Sequence, residues 1–281
     1  MLFVLKTLAN DIYRRFVNDD GFPLSGNIAY CTILSLFPFL IFLTSLAGFF
    51  GDENMATRAI DYLLESLPKD LVDPISGDIH AILTTPNGGL LTFSILFTLY
   101  TAAGGVESIR TGLNRAYDLT EHRLYPFRLL QSLLFVFIGA VVLLALALLI
   151  VFVPLYWSRL ETLMPLAREF SGWFHLLRHP LGLGLMFLAL MLSHMFLPAR
   201  RHRFRELLPG VLTTMALWLA AAWTYAAYLA EFSRIHLMYA GLANVIITLV
   251  FLYISAALLI LGGEINQSLI SLARRRREEG S

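Results

Sequence analysis

Six long apolar runs, at 28–50, 89–106, 130–156, 181–197, 208–230 and 242–262, have no charged residue in their middle, and no other feature of the chain constrains its fold so tightly. A bilayer core of about 30 Å takes about 20 mostly apolar residues per helix. Backbone amides facing hydrocarbon must be satisfied within the segment, which makes these runs helices rather than open strands. The 281-residue chain is 57% hydrophobic and 15% charged, with a mean hydropathy of +0.69, which is more apolar surface than one soluble core can hide. The expected fold class is therefore an all-α integral membrane protein: six transmembrane helices, an N-terminal interfacial helix, and amphipathic helices in the first outer loop, forming one membrane domain over residues 1–281.

The segments between the runs have their own patterns. Leu5, Leu8, Ile12 and Phe16 recur at helical spacing, so residues 1–20 read as an interfacial amphipathic helix that ends at Asn18-Asp19-Asp20-Gly21 and Pro23. Residues 51–88 are too polar to cross, yet they place Ile60, Leu63, Leu64 and Leu67, then Leu71, Ile75, Ile79 and Ile82, as two short amphipathic helices broken around Pro68. Residues 159–180 look like a second interfacial segment, with Trp157 and Trp173 at headgroup level. Residues 267–281 form a basic tail that continues the last helix out of the membrane.

Alternate loops divide the Lys and Arg residues unequally. One side receives Lys6, Arg14 and Arg15, then Arg110, Arg115, Arg123 and Arg128, then Arg200, Arg201, Arg203 and Arg205, and finally Arg274, Arg275, Arg276 and Arg277. These are fifteen of the 21 basic residues, so that side is expected to be cytoplasmic and, with an even number of spans, to hold both termini. No removable signal peptide is evident in the first twenty residues. Cys31 is the single cysteine, which excludes an intramolecular disulfide and any cysteine-based metal site.

Ionisable groups near the membrane are costly, at about 2.5–3.5 kcal/mol on insertion scales, and so mark candidate sites. Glu264 follows Gly262-Gly263 at the inner end of the sixth run, with Asn266 beyond it; it can accept a proton, a cation or an arginine partner. Glu107 follows Gly104-Gly105, with Arg110 and Asn114 on the same helical face, and reads either as half of a carboxylate pair with Glu264 or as an ordinary ion pair with Arg110. Tyr30 is a candidate for a polar cavity. Pro38, Gly104, Gly105, Gly262 and Gly263 are candidate hinges, and the same glycines also serve plain close packing. Arg200, Arg201, Arg203, Arg205 and Arg274 to Arg277 are candidate lipid-headgroup contacts. No metal site, cofactor or nucleotide-binding phosphate loop is expected, and no catalytic residue is assigned.

Four stretches carry a family likeness. They are Ala29-Tyr30 with Leu34-Ser35-Leu36-Phe37-Pro38; Gly112-Leu113-Asn114-Arg115-Ala116-Tyr117; Leu208-Pro209-Gly210 with Trp218; and Tyr239-Ala240-Gly241-Leu242, Tyr253-Ile254-Ser255 and Leu261-Gly262-Gly263-Glu264-Ile265-Asn266. With these the chain resembles the YihY/BrkB family of bacterial inner-membrane proteins, once labelled ribonuclease BN. The usual Tyr-Gly before the last span is displaced by one residue here. The resemblance implies a bacterial inner-membrane location and a transporter or flippase-like role for a lipid or other amphipathic envelope molecule. The alternative is a non-transporting scaffold that organises the envelope; the old tRNA-processing ribonuclease label is the remote one, since no ligand constellation for phosphodiester cleavage accompanies the arginines. Expected partners are membrane lipids and an envelope protein, not nucleic acid, with oligomerisation left open.

Overall fold

The computed structural model describes residues 2–50, 88–147, 149, 165–232 and 240–278. The outer helices expected within 51–87 lie outside the described residues, as do Tyr239 and the adjoining outer loop. Among the described residues the elements are α1 (Leu2–Asn18), α2 (Gly21–Phe50), α3 (Gly88–Ala116), α4 (Tyr125–Ala147), α5 (Pro165–Phe196), α6 (Phe204–Phe232) and α7 (Ala240–Glu278), and no strand is present among them. The all-α membrane class holds. Four of these helices contain an apolar window long enough to cross a bilayer, at Tyr125–Val142, Leu176–Phe196, Phe204–Tyr228 and Val245–Arg275. Helices α2 and α3, of 30 and 29 residues, occupy the positions of the first two expected spans.

Several boundaries depart from the sequence expectation: α2 begins at Gly21 rather than 28, and α3 runs to Ala116 rather than 106. Helix α5 runs through Pro180 without a break, so residues 165–180 and the fourth span are one helix of 32 residues. Helix α7, 39 residues long, continues past Gly262 to Glu278 and carries the polar stretch and the arginine run on one rod, as the basic tail was expected to. The turn after α1 falls where the Asn-Asp-Asp-Gly sequence put it. Pro23 sits in the first turn of α2, where a missing backbone N–H costs nothing.

The chain divides into two compact units, residues 1–22, 109–219 and 258–281 in one and residues 23–108 and 220–257 in the other. In the second unit, Asn27 Nδ2 donates to Ser108 Oγ at 2.6 Å, Gly104 and Gly105 face Cys31, and the Tyr225 ring stacks on Phe251 at 4.5 Å. In the first unit the C-terminal ends of α3, α5 and α7 meet the N-terminal ends of α4 and α6, which makes successive helices antiparallel.

Polarity in the structure is inverted relative to a water-soluble fold. Large apolar side chains point outward, including Phe137 at 67% and Trp223 at 75% exposure, while Arg110, Asn114, His194, Glu264 and Asn266 are buried. Exposing that much apolar surface to water would cost about 25 cal/mol per Å², whereas lipid tails accept it without penalty.

Helices α6 and α7 approach closely at Gly210 and Gly262. A methyl group on Gly210 would run into the Gly262 carbonyl oxygen and the Asn266 side chain, and one on Gly262 would strike Thr214 Oγ1. A Gly210→Ala substitution is therefore expected to destabilise the purified protein by about 1–3 kcal/mol through overpacking. Gly139→Ala in α4 meets nothing within 4 Å and should be neutral or slightly stabilising. Thermal melting in detergent measures both, and equal melting temperatures for the two variants would refute the close-approach account.

Candidate functional site

Polar side chains gather where the helix ends of the first unit converge, and Arg15 in the last turn of α1 links them. Its Nε donates to Glu264 Oε2 at 3.2 Å, and its Nη2 reaches Asp118 Oδ2 at 2.8 Å and the Ala116 carbonyl at 3.4 Å. One planar guanidinium thus joins α1, the end of α3 and α7. Burial works against the Arg15 charge, but the hydrogen bond and charge of Asp118, with those of Glu264, more than offset it, so its pKa is raised.

The turns after α1 and α3 are alike. Asp20 and Asp118 adopt positive φ, 56° and 54°, a conformation that costs an L-residue roughly 1–2 kcal/mol. Around Asp118 the backbone closes a Schellman cap, with Asp118 N–H on the Arg115 carbonyl at 2.9 Å and Leu119 N–H on the Asn114 carbonyl at 2.8 Å. Each aspartate pairs with the arginine of the other helix: Asp118 with Arg15, and Asp20 with Arg115. These reciprocal bridges explain why aspartate stands where glycine is usual. Gly21 does require glycine, because a Cβ there would lie 2.6 Å from the Phe16 ring.

Glu264 is fully buried. Besides Arg15, the charge of the Asp19 carboxyl, from the turn after α1, acts on it. Its Oε1 has no hydrogen-bond partner among the described residues. Burial, then the Asp118 charge, push the Asp19 carboxyl above its usual range against the pull of Glu264, Arg15 and Arg115.

Next to this cluster runs a hydrogen-bond chain whose direction can be assigned. The Gly210 N–H donates to Asn266 Oδ1 at 2.6 Å, which fixes the amide so that Nδ2 donates to Tyr117 Oη at 3.0 Å. The phenol's one hydrogen is then left for His194 Nδ1, also at 3.0 Å, which places the imidazole proton on Nε2. That nitrogen is buried without a partner among the described residues. Burial pushes the Tyr117 phenol up, keeping it a neutral donor, and its ring stacks on His202 at 4.5 Å.

A third group caps the exposed carbonyls at the end of α5. Arg123 grips Glu121 through Nε at 2.7 Å and Nη2 at 2.6 Å, and Nη2 also donates to the Leu197 carbonyl at 2.7 Å. Gln131 Nε2 covers the Phe196 carbonyl at 2.6 Å, and Asn114 accepts from the Ala199 N–H at 2.7 Å while donating to Glu121 at 3.0 Å. Arg110, buried, donates to Ser132 Oγ at 2.9 Å and the Arg128 carbonyl at 3.1 Å, tying α3 to α4. A cleft of about 380 Å³ opens beside this group, lined by residues 118–123 with Ala199 and Arg200.

The residues singled out in the sequence fare differently. Arg110, Asn114, Glu264 and Asn266 all lie buried in the first unit, but in three separate hydrogen-bonded groups. Glu107 is half-buried on α3 and Tyr30 is 59% exposed on α2; both belong to the second unit. Gly104 and Gly105 lie within an unbroken α3, and Gly262 and Gly263 within an unbroken α7, where Gly263 faces Leu113 and Ala116. Pro38 lies in α2, and its side chain, like those of Arg276 and Arg277, is outside the described residues. Arg200, Arg201, Arg203, Arg205, Arg274 and Arg275 are exposed. Sequence reasoning missed Arg15, Asp19, Asp20, Asp118, Tyr117 and His194 as members of the site. The repeated arrangement of an arginine a few residues before an aspartate, in Arg15 to Asp20 and Arg115 to Asp118, was the available signal. Among the described residues no group of three His, Cys, Asp or Glu is placed to hold a metal ion.

Outward apolar helices around a buried polar cluster define a multi-pass helical membrane protein. Residues 12–281 match the family described as Virulence factor BrkB, and the chain belongs to that family. It is 29% identical over 267 residues to a protein of Bacillus subtilis (strain 168) described as ribonuclease-like, YfkH, covering 91% of this chain and 92% of that one. It is 27% identical over 259 residues to a UPF0761 membrane protein of Coxiella burnetii (strain Dugway 5J108-111), covering 91% and 90% of the two chains. A UPF0761 membrane protein of Aliivibrio salmonicida (strain LFI1238) is 23% identical over 261 residues, covering 91% and 81%. No solved structure matches the chain.

Because Arg123 holds the Glu121 carboxyl at about 2 rather than its ordinary 4.5, the stability this pair adds is complete above the ordinary carboxylate range and is lost as pH falls through about 2. Glu121→Gln is expected to cost about 1.5–3 kcal/mol near neutral pH, the range for a charge-assisted hydrogen bond, and to flatten the acid limb of a melting-temperature profile. A variant with an unchanged acid limb would remove Glu121 from the cap.

Proposed function

We propose that this BrkB-family protein lies in the bacterial inner membrane with both termini in the cytoplasm and moves an amphipathic envelope molecule, of the lipid class, between leaflets. The observation that carries this reading is the group of buried Glu264, Asn266, Tyr117 and His194, with half-buried Arg15 on Glu264, inside helices whose outer surface is apolar. Charged and polar groups buried in a membrane bundle are costly, and their usual use is to handle a polar headgroup or an ion. The exposed arginines at positions 200, 201, 203, 205, 274 and 275 supply cationic contacts for anionic headgroups at the inner face, each worth about 1 kcal/mol near the surface. The cleft beside Arg200 is the place for a headgroup to enter. Glu264, Asn266, Asn114 and Arg110 form the polar inner mouth.

Reconstituted in liposomes, the wild-type protein is expected to speed the redistribution of a headgroup-labelled lipid. Glu264→Gln should slow that rate by roughly ten- to a hundredfold, the equivalent of one lost charge-assisted hydrogen bond. Equal rates in protein-free, wild-type and variant vesicles would sink the transport reading and return the protein to the role of an envelope scaffold.

A further inference from the structure

We infer that the cleft between the loops that follow α3 and α5 takes the headgroup of a zwitterionic aminophospholipid, its primary ammonium on Asp118 and its phosphate on Arg200. This rests on the lipid-class function proposed above and names the headgroup. The cleft, about 380 Å³, falls in the range of small-ligand sites, and its lining carries charges of both signs. Two of them cancel: Arg123 Nη2 and Glu121 Oε2 pair at 2.6 Å, and other donors of Arg123 serve the Gln131 side chain and the Leu197 carbonyl. Asp118 is not neutralised in the same way. Its cationic partner among the described residues, Arg15, is divided between it and buried Glu264, so one guanidinium faces two carboxylates. The hydrogen bonds from Arg15 and Gln267 both fall on Asp118 Oδ2, which leaves Oδ1, on a side chain 57% exposed, open to a donor. Arg200 is exposed and makes no ion pair among the described residues, and Arg201, held over the Phe196 ring at 5.1 Å, adds a second positive charge next to it in the chain.

Each half of the ligand follows from the group that meets it. The planar fork of a free guanidinium matches two oxygens of a phosphate. A carboxylate oxygen only accepts, so its partner must carry N–H hydrogens, as a primary ammonium does. A choline headgroup has none, and its usual recognition is by aromatic faces; no Phe, Tyr or Trp lines this cleft. A headgroup with negative charge alone would set a like charge against Asp118. The chain then argues for a lipid rather than a free aminophosphate. Directly after Arg123 come Leu124, Tyr125 and Phe127, exposed by 78, 62 and 58%, where α4 begins its membrane-spanning run. A headgroup in the cleft therefore has lipid-facing surface beside it along which its acyl chains can lie.

Native mass spectrometry of the full-length protein, released from detergent micelles that each hold one phospholipid of matched acyl chains, reads the site directly. Wild type is expected to bind phosphatidylethanolamine roughly tenfold more tightly than phosphatidylcholine or phosphatidylglycerol, the equivalent of one charge-assisted hydrogen bond. Arg200→Ala should weaken phosphatidylethanolamine by a similar factor, and Asp118→Asn should erase its advantage over phosphatidylglycerol. Because Asp118 also holds Arg15, the wild-type ranking decides if that variant does not fold. Equal binding of the three lipids by wild type, phosphatidylglycerol ranked first, or an Arg200→Ala protein that binds phosphatidylethanolamine as wild type does, overturns the inference. Free phosphoethanolamine separates the two sources of this chemistry: failure to displace the lipid supports the lipid as occupant, and displacement as effective as that by the lipid itself overturns it. Selective binding with no lipid redistribution in vesicles sinks the transport reading and leaves the site standing. Redistribution with no headgroup preference in binding does the reverse.

Discussion

A buried carboxylate needs a compensating cation, and Glu264 has Arg15. Arg15 supplies the charge and, because its guanidinium donates in several directions, also ties Asp118 and the last carbonyl of α3 to the same point. Removing one partner of such a pair leaves an uncompensated charge, which is far costlier than never having buried it. The docking of α1, the ending of α3 and the rotation of α7 about its axis therefore depend on each other through one side chain.

The remainder of the polar end follows from helix termini in a membrane. Each helix stops with several carbonyls or amides unpaired, and in a membrane protein such groups need partners from the protein itself. Arg123, Gln131 and Asn114 cover the carbonyls and the loop amide at the end of α5, and the Schellman turn at Asp118 closes α3. Arg123 and Asp118 also line the cleft at Arg200, so part of the capping that stabilises the fold shapes that surface as well. Small residues allow this density: Gly210 against Gly262 brings α6 and α7 near enough for Asn266 to reach the Gly210 amide and pass a fixed hydrogen-bond direction on to Tyr117 and His194.

Much of the architecture was legible because hydrophobicity is a local property. Long charge-free runs became helices, the Asn18-Asp19-Asp20-Gly21 turn fell where expected, and the arginine tail extended the last helix. The extent of α5 was not legible, since Pro180 and the polar residues before it read as a break, yet one proline does not interrupt a helix whose neighbours hold it. Glu264 and Asn266 stood out as polar groups beside glycines. Asp19, by contrast, looked like one of several turn acids, and nothing nearby in sequence announced that it would stand beside an acid at the other end of the chain.

The sequence by itself determined that hydrocarbon surrounds most of this protein, that the runs are helical, and that its arginines gather in alternate loops, because each follows from composition within a window of about 20 residues. Only the tertiary structure decided that Glu264 meets Arg15, 249 positions away, and the Asp19 carboxyl beside it. Helical periodicity fixes which face a residue occupies, but the partner across the gap is set by how closely and at what rotation the helices pack. Here the glycine contacts of α7 set that approach.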